Sequence, residues 1–75
     1  MSSDGILHLL GDRARRRLQG RGVRVWVTPD VGISVEGAVK SAMVKEDDLR
    51  WLYWGGKLGE IDRIFEDAAK EVTGD

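Results

Sequence analysis

A chain of 75 residues without a single cysteine has to fold around a small apolar core. A domain of this length buries only about 60% of its unfolded surface. Neither a disulfide nor a thiolate-bound metal can add to its stability. Self-association is then the simplest remaining way to bury more apolar surface. We therefore expect a single domain over residues 1–75 that forms a homodimer.

The first third of the chain has the apolar spacing of a helix. Its apolar residues recur three or four positions apart: Ile6, Leu7, Leu10, Ala14 and Leu18. This periodicity, followed by Gly20 and Gly22, predicts a helix over Asp4–Gln19. Gly11 lies inside it, at a cost of about 1 kcal/mol relative to alanine.

The next segment alternates with the period of a strand. Valines 23, 25 and 27 are predicted to face one side, and Arg24, Trp26 and Thr28 the other. Pro29 and Gly32 are typical of a turn, and alternation resumes over Ile33–Val39. The pattern predicts a β-hairpin whose apolar face is covered by the first helix, because an isolated hairpin is unstable in water.

Helical spacing returns after residue 45. Leu49, Leu52 and Tyr53 form one stripe, with Trp51 and Trp54 on another, and Gly55-Gly56 interrupts the pattern. We predict helices over residues 46–54 and 57–72. The expected fold is α+β, in the order α-β-β-α-α, and the spread of aromatic residues around residues 46–54 favours a dimer.

Charge divides the chain into two parts. Residues 1–45 contain eight Lys/Arg and four Asp/Glu, whereas residues 46–75 contain four and nine. A basic first half would attract an acidic partner. The alternative, left open here, is that the two halves attract each other within a monomer or across a dimer.

Residues suited to catalysis are scarce. There is no cysteine, and His8 lies among leucines on a helix, where a partly buried structural role is typical. The glycines around Lys57 follow a helix and lack the Ser/Thr of a phosphate-binding loop. We therefore expect a binding protein and not an enzyme, with no cofactor and no metal. The absence of cysteine, of an apolar stretch long enough for a membrane span and of a basic leader indicates a cytoplasmic protein.

Two groups of residues favour binding. Six arginines lie between residues 13 and 24, where they could hold phosphates or acidic side chains, or form a solvated helix face. Trp26 lies on the predicted outward face of the hairpin, and tryptophan and arginine are enriched at binding hot spots.

The stretch Arg21-Gly22-Val23, Val25-Trp26-Val27 and Ile33–Gly37 resembles the N-terminal docking domains of the TubC type, found on nonribosomal peptide synthetase and polyketide synthase subunits. Lys57–Ile61 with Ile64-Phe65 looks like the closing part of that motif. The usual proline after the second strand is absent, and the last helix is longer.

The resemblance implies a homodimeric protein–protein docking module. It would recognise the short acidic C-terminal peptide of an upstream subunit by β-strand addition along the second strand. The partner-binding residues that it implies are Arg17, Arg21, Arg24, Trp26, Ile33, Ser34, Val35, Glu36 and Gly37. No membrane partner is expected, and nucleic acid is disfavoured by the acidic net charge. The alternatives are a small nucleic-acid-binding or regulatory protein of phage or mobile-element origin that uses the Arg13–Arg24 basic face, and a purely structural dimer.

Overall fold

The structure, a computed structural model, describes residues 4–74. Within these residues, three helices and three strands follow one another. They are α1 (Asp4–Arg17), β1 (Arg24–Thr28), β2 (Gly32–Glu36), β3 (Ser41–Lys45), α2 (Glu46–Trp54) and α3 (Leu58–Thr73).

The strands form one antiparallel sheet in the order β1-β2-β3, so that β2 is central. Val25 pairs with Val35 and Val35 with Ala42, while Trp26 pairs with Ser34 and Ser34 with Met43. Because side chains alternate along a strand, these two rows lie on opposite faces of the sheet. One face is therefore apolar and the other mostly polar.

The core lies between the apolar face of the sheet and the helices. Fully buried side chains come from every helix and from the central strand: Leu7, Leu10, Ile33, Val35, Leu49, Ile61, Phe65 and Val72. The partly buried valines of β1 pack against this cluster. Among residues 4–74 no helix buries the opposite face of the sheet, since Trp26 and Met43 remain about 40% exposed.

Two glycines allow close approach between elements. A Cβ at Gly11 would lie 2.7 Å from Cγ2 of Val27, so the glycine that is unfavourable within α1 lets that helix pack closely on β1. A Cβ at Gly37 would lie 2.5 Å from the Val72 carbonyl oxygen. The same carbonyl accepts hydrogen bonds from the amides of Val39 and Lys40, at 2.9 and 3.3 Å. The turn after β2 is thereby held against the end of α3.

The α+β fold and the predicted order of helix, hairpin and two helices are confirmed, as is a helix boundary at Gly55-Gly56. A third strand, β3, was not predicted. The second strand ends at Glu36 instead of Val39, and Val39 is exposed in the turn that precedes β3. Within residues 4–74, no helix combines the length and apolar character needed to cross a membrane.

Candidate docking surfaces

The arginines of α1 and the following turn face acidic residues of α3. Arg13 donates two hydrogen bonds to Asp62, Nε to Oδ1 at 2.7 Å and Nη2 to Oδ2 at 2.8 Å. Arg17 lies 3.3 Å from Glu66, and Arg21 lies 2.7 Å from the same carboxylate. These ion pairs join the basic and acidic halves of the chain within one subunit, which is one of the alternatives that the charge distribution left open.

Asp62 is the most buried acidic side chain of this cluster. The hydrogen bond from Arg13 is the main reason that the pKa of Asp62 lies below its ordinary value. Burial acts in the opposite direction, and the charges of Arg13 and Arg17 lower the pKa further. The same hydrogen bond raises the pKa of Arg13. Both groups are therefore charged at neutral pH, and the pair ties α1 to α3.

The remaining arginines are more exposed. Arg24, at the start of β1, has a side chain that is 82% exposed and lies 3.7 Å from Glu36. Arg15 bonds to Asp12 on its own helix, and Arg16 makes no ion pair within residues 4–74. Three arginines were predicted to bind an acidic partner. Arg17 and Arg21 instead form ion pairs with Glu66 of α3, and of the three only Arg24 has its charge mainly in solvent. His8 is exposed on α1, so its predicted partial burial is wrong.

Trp26 lies on the open face of the sheet. Its cross-strand neighbour Ser34 is buried between Trp26 and Met43 in the same row. The Ser34 hydroxyl lies 3.0 Å from Oγ1 of Thr28 and donates to the Met43 sulfur at 3.7 Å. The result is an apolar strip across the sheet, with its only polar side chain already satisfied.

The predicted acceptor strand has no open edge. The whole of β2 pairs with β1 on one side and β3 on the other. Ile33 and Val35 are fully buried in the core, and Gly37 is pressed against Val72. The expectation that an incoming peptide adds beside Ile33–Val39 is therefore wrong as to place, because β3 already occupies that position.

The outer edge of β3 offers unpaired backbone groups. The amide of Glu46 donates to the Val31 carbonyl at 2.9 Å, and that of Gly37 to the Lys40 carbonyl at 3.0 Å. In an antiparallel ladder, hydrogen-bonded and non-bonded pairs alternate. Ala42 and Val44 consequently bond to β2. The amides of Ser41, Met43 and Lys45 and the carbonyls of Ser41 and Met43 therefore point outward, away from the sheet. Lys45 is the N-cap of α2, so its carbonyl accepts the first hydrogen bond of that helix.

A shallow groove runs along this edge. One side is β3, from Ala42 to Lys45, and the other is a stripe of α3 at helical spacing: Ile64, Asp67, Ala68 and Glu71. Asp48 of α2 closes one end. The sequence analysis missed the groove together with β3, because Ser41–Lys45 has three consecutive apolar residues, Ala42, Met43 and Val44, and no clear alternation.

The exposed side of α2 forms a third surface. Trp51 is 77% and Trp54 66% exposed, three residues apart on the helix, and Leu58 at the start of α3 is 37% exposed. We call these three residues the tryptophan ridge. The Arg50 guanidinium lies 5.6 Å from the Trp54 ring centroid and also pairs with Glu46. Large apolar side chains so exposed and adjacent are typical of an interaction surface.

No cluster of three His, Cys, Asp or Glu side chains that could hold a metal ion occurs among residues 4–74. Comparisons with protein-family models, with curated proteins and with solved structures returned no match. The functional argument therefore rests on the three surfaces themselves.

Proposed function

We propose that this chain is a protein-docking module, not an enzyme, and that it receives an extended segment of a partner protein as a fourth strand beside β3. The observation that carries the proposal is the groove between the outer edge of β3 and α3. In strand addition, backbone hydrogen bonds supply affinity and alternate side chains supply specificity.

The backbone geometry supports strand addition at this edge. Ser41 and Met43 each present an unpaired backbone donor and acceptor in register, and Lys45 adds an unpaired amide. The opposite wall, Ile64 and Ala68, is apolar and partly to fully buried, so it would pack against alternate side chains of an added strand. An unprotected strand edge is otherwise a liability for aggregation.

The acidic C-terminal peptide expected from the sequence would instead join the outer edge of β1, where Arg24 is exposed. That edge carries only this one strongly exposed arginine of the three predicted. The nucleic-acid alternative receives less support, because Arg13, Arg17 and Arg21 are compensated by carboxylates of α3. A phosphate backbone would have to compete with those ion pairs.

The proposed assembly is a homodimer through the tryptophan ridge. Glu46 and Asp47 lie in the first turn of α2, and Lys57 follows its last turn. In an antiparallel contact between two copies of α2, the acidic end of one helix would face Lys57 of its partner. A two-fold interface requires a surface that is self-complementary in this way. The tryptophan ridge and the β3 groove are distinct surfaces, so a dimer formed through the ridge would leave the groove accessible to a docked strand.

Strand addition can be tested by selecting binders from a displayed library of random peptides and mapping an enriched peptide by amide hydrogen exchange. We expect new protection at Ser41, Met43 and Lys45. The amides of Ala42 and Val44 should be protected with or without peptide. Protection confined to α1 or to the tryptophan ridge would reject the proposal.

A matched pair of variants isolates the backbone contribution. Met43→Pro removes one outward amide at a position where an edge strand tolerates proline, and should abolish binding. Met43→Ala removes the same side chain but keeps the amide, and should bind within a few-fold of the original chain. Should Met43→Pro fail to fold, methylation of alternate amides in the peptide provides the same test. Only one of the two methylated registers should then lose binding.

A further inference from the structure

The rim of the β3 groove is acidic. Its ionisable lining residues are Asp48, Asp67 and Glu71, with a single cation, Lys45. Glu71 pairs with Lys40 at 2.8 Å on the surface, whereas Asp48 and Asp67 make no ion pair within residues 4–74. Two carboxylates in the groove are therefore available to a ligand. The rim of the groove is thus negatively charged, whereas the arginine cluster on α1 is positively charged.

From this charge and shape we infer that the docked strand is basic: an extended segment of a partner protein with lysine or arginine side chains at the positions that face α3. The inference rests on the proposed docking function and names its partner class. Lysine and arginine stems can cover an apolar floor such as Ile64 and Ala68 while their charged ends reach a polar rim. An acidic segment would meet like charge at both ends of the groove.

The same rim explains why a second copy of the chain is not the occupant. Pairing β3 with β3 of another copy would bring two sets of Asp48, Asp67 and Glu71 to one interface. Like charges facing each other across an interface are unfavourable, and edge charges are a common protection against unwanted strand pairing. The carboxylates would thus exclude self-pairing and attract a basic strand.

The test compares enriched peptides from the displayed library with synthetic versions in which each lysine or arginine is replaced by glutamine. We expect the enriched peptides to be basic and the glutamine versions to bind more weakly. Asp67→Asn and Asp48→Asn should each weaken binding of the basic peptide about two- to fivefold, and added salt should weaken it further. The control is Asp12→Asn, which makes the same change of charge on the exposed side of α1, outside the groove, and it should leave the affinity unchanged.

The outcomes separate the two proposals. Enriched peptides that are neutral or acidic, yet protect Ser41, Met43 and Lys45 from exchange, would overturn the basic partner and leave the docking site in place. An equal loss of affinity in Asp12→Asn and Asp48→Asn would also overturn it, because the loss would then follow the net charge of the chain and not the groove. Self-association that protects the β3 edge would identify a second copy as the occupant, and the absence of any peptide at this edge would reject both proposals.

Discussion

Arg13 and Asp62, 49 positions apart in the chain, form a two-point ion pair that joins α1 to α3, with Nε–Oδ1 and Nη2–Oδ2 distances of 2.7 and 2.8 Å. Hydrogen bonds to charged groups contribute more than neutral ones. We expect Asp62→Asn to lower the free energy of unfolding by about 1–2 kcal/mol, measured by urea denaturation. The control is Asp12→Asn, which removes an exposed pair within α1 and should cost less than about 0.5 kcal/mol. Equal losses of unfolding free energy in the two variants would show that the Arg13–Asp62 pair stabilises the fold no more than an exposed ion pair does.

Asp62 also predicts how stability depends on pH. Its pKa is lower in the folded chain than in the unfolded chain, mainly because Arg13 hydrogen bonds to the carboxylate. The unfolded state then binds a proton more readily, so the contribution is complete above the unfolded pKa of about 3.9 and is lost as the pH falls through the folded pKa. The stability difference between the original chain and Asp62→Asn should therefore narrow in acid. A difference that stays constant between neutral pH and about pH 3 would contradict this assignment.

Replacing Gly37 or Gly59 by alanine should change the stability of the fold in opposite directions. Gly37→Ala places a Cβ against the Val72 carbonyl, 2.5 Å away, and should destabilise the fold by about 1–3 kcal/mol. Gly59 lies in the first turn of α3 with open space around it. Gly59→Ala should stabilise by about 0.5–1 kcal/mol, because alanine is the better helix former. Thermal unfolding of both variants is the measurement, and a stabilising Gly37→Ala would mean that the turn is not held on α3.

The tryptophan ridge predicts the state of association. At tens of micromolar, sedimentation should give about twice the monomer mass. The double variant Trp51→Ser/Trp54→Ser should sediment as a monomer with unchanged helix content, since both side chains are exposed in the single subunit. Trp26→Ser, on the open sheet face, is the control and should remain dimeric. A clean monomer of the original chain at millimolar concentration would exclude the dimer.

Periodicity was sufficient to predict most of the fold. Leu7, Leu10 and Ala14 recur at helical spacing because they face one core, and all three are buried. The alternation of valines in β1 and the glycines after Trp54 likewise marked the hairpin and the helix boundary. In these segments local propensity and burial agree, and the sequence is informative for that reason.

The third strand and the candidate site could not be predicted by the same reasoning. Ser41–Lys45 contains alanine and lysine, which favour strands weakly, and only Ala42 and Val44 face the core. Its pairing with β2 stabilises it. The partners of Arg13 and Arg21 lie 49 and 45 residues away, so no local pattern reveals that these charges are neutralised. The groove requires β3 and α3 to be placed side by side, which only the tertiary structure provides.

Lys45 ends β3 and Glu46 begins α2, with no residue between them. The groove edge and most of the tryptophan ridge are consequently carried by one uninterrupted segment, residues 41–54. A change within this segment would therefore alter the β3 edge and the ridge together. The opposite wall of the groove, with Asp67 and Glu71, would stay unchanged on α3.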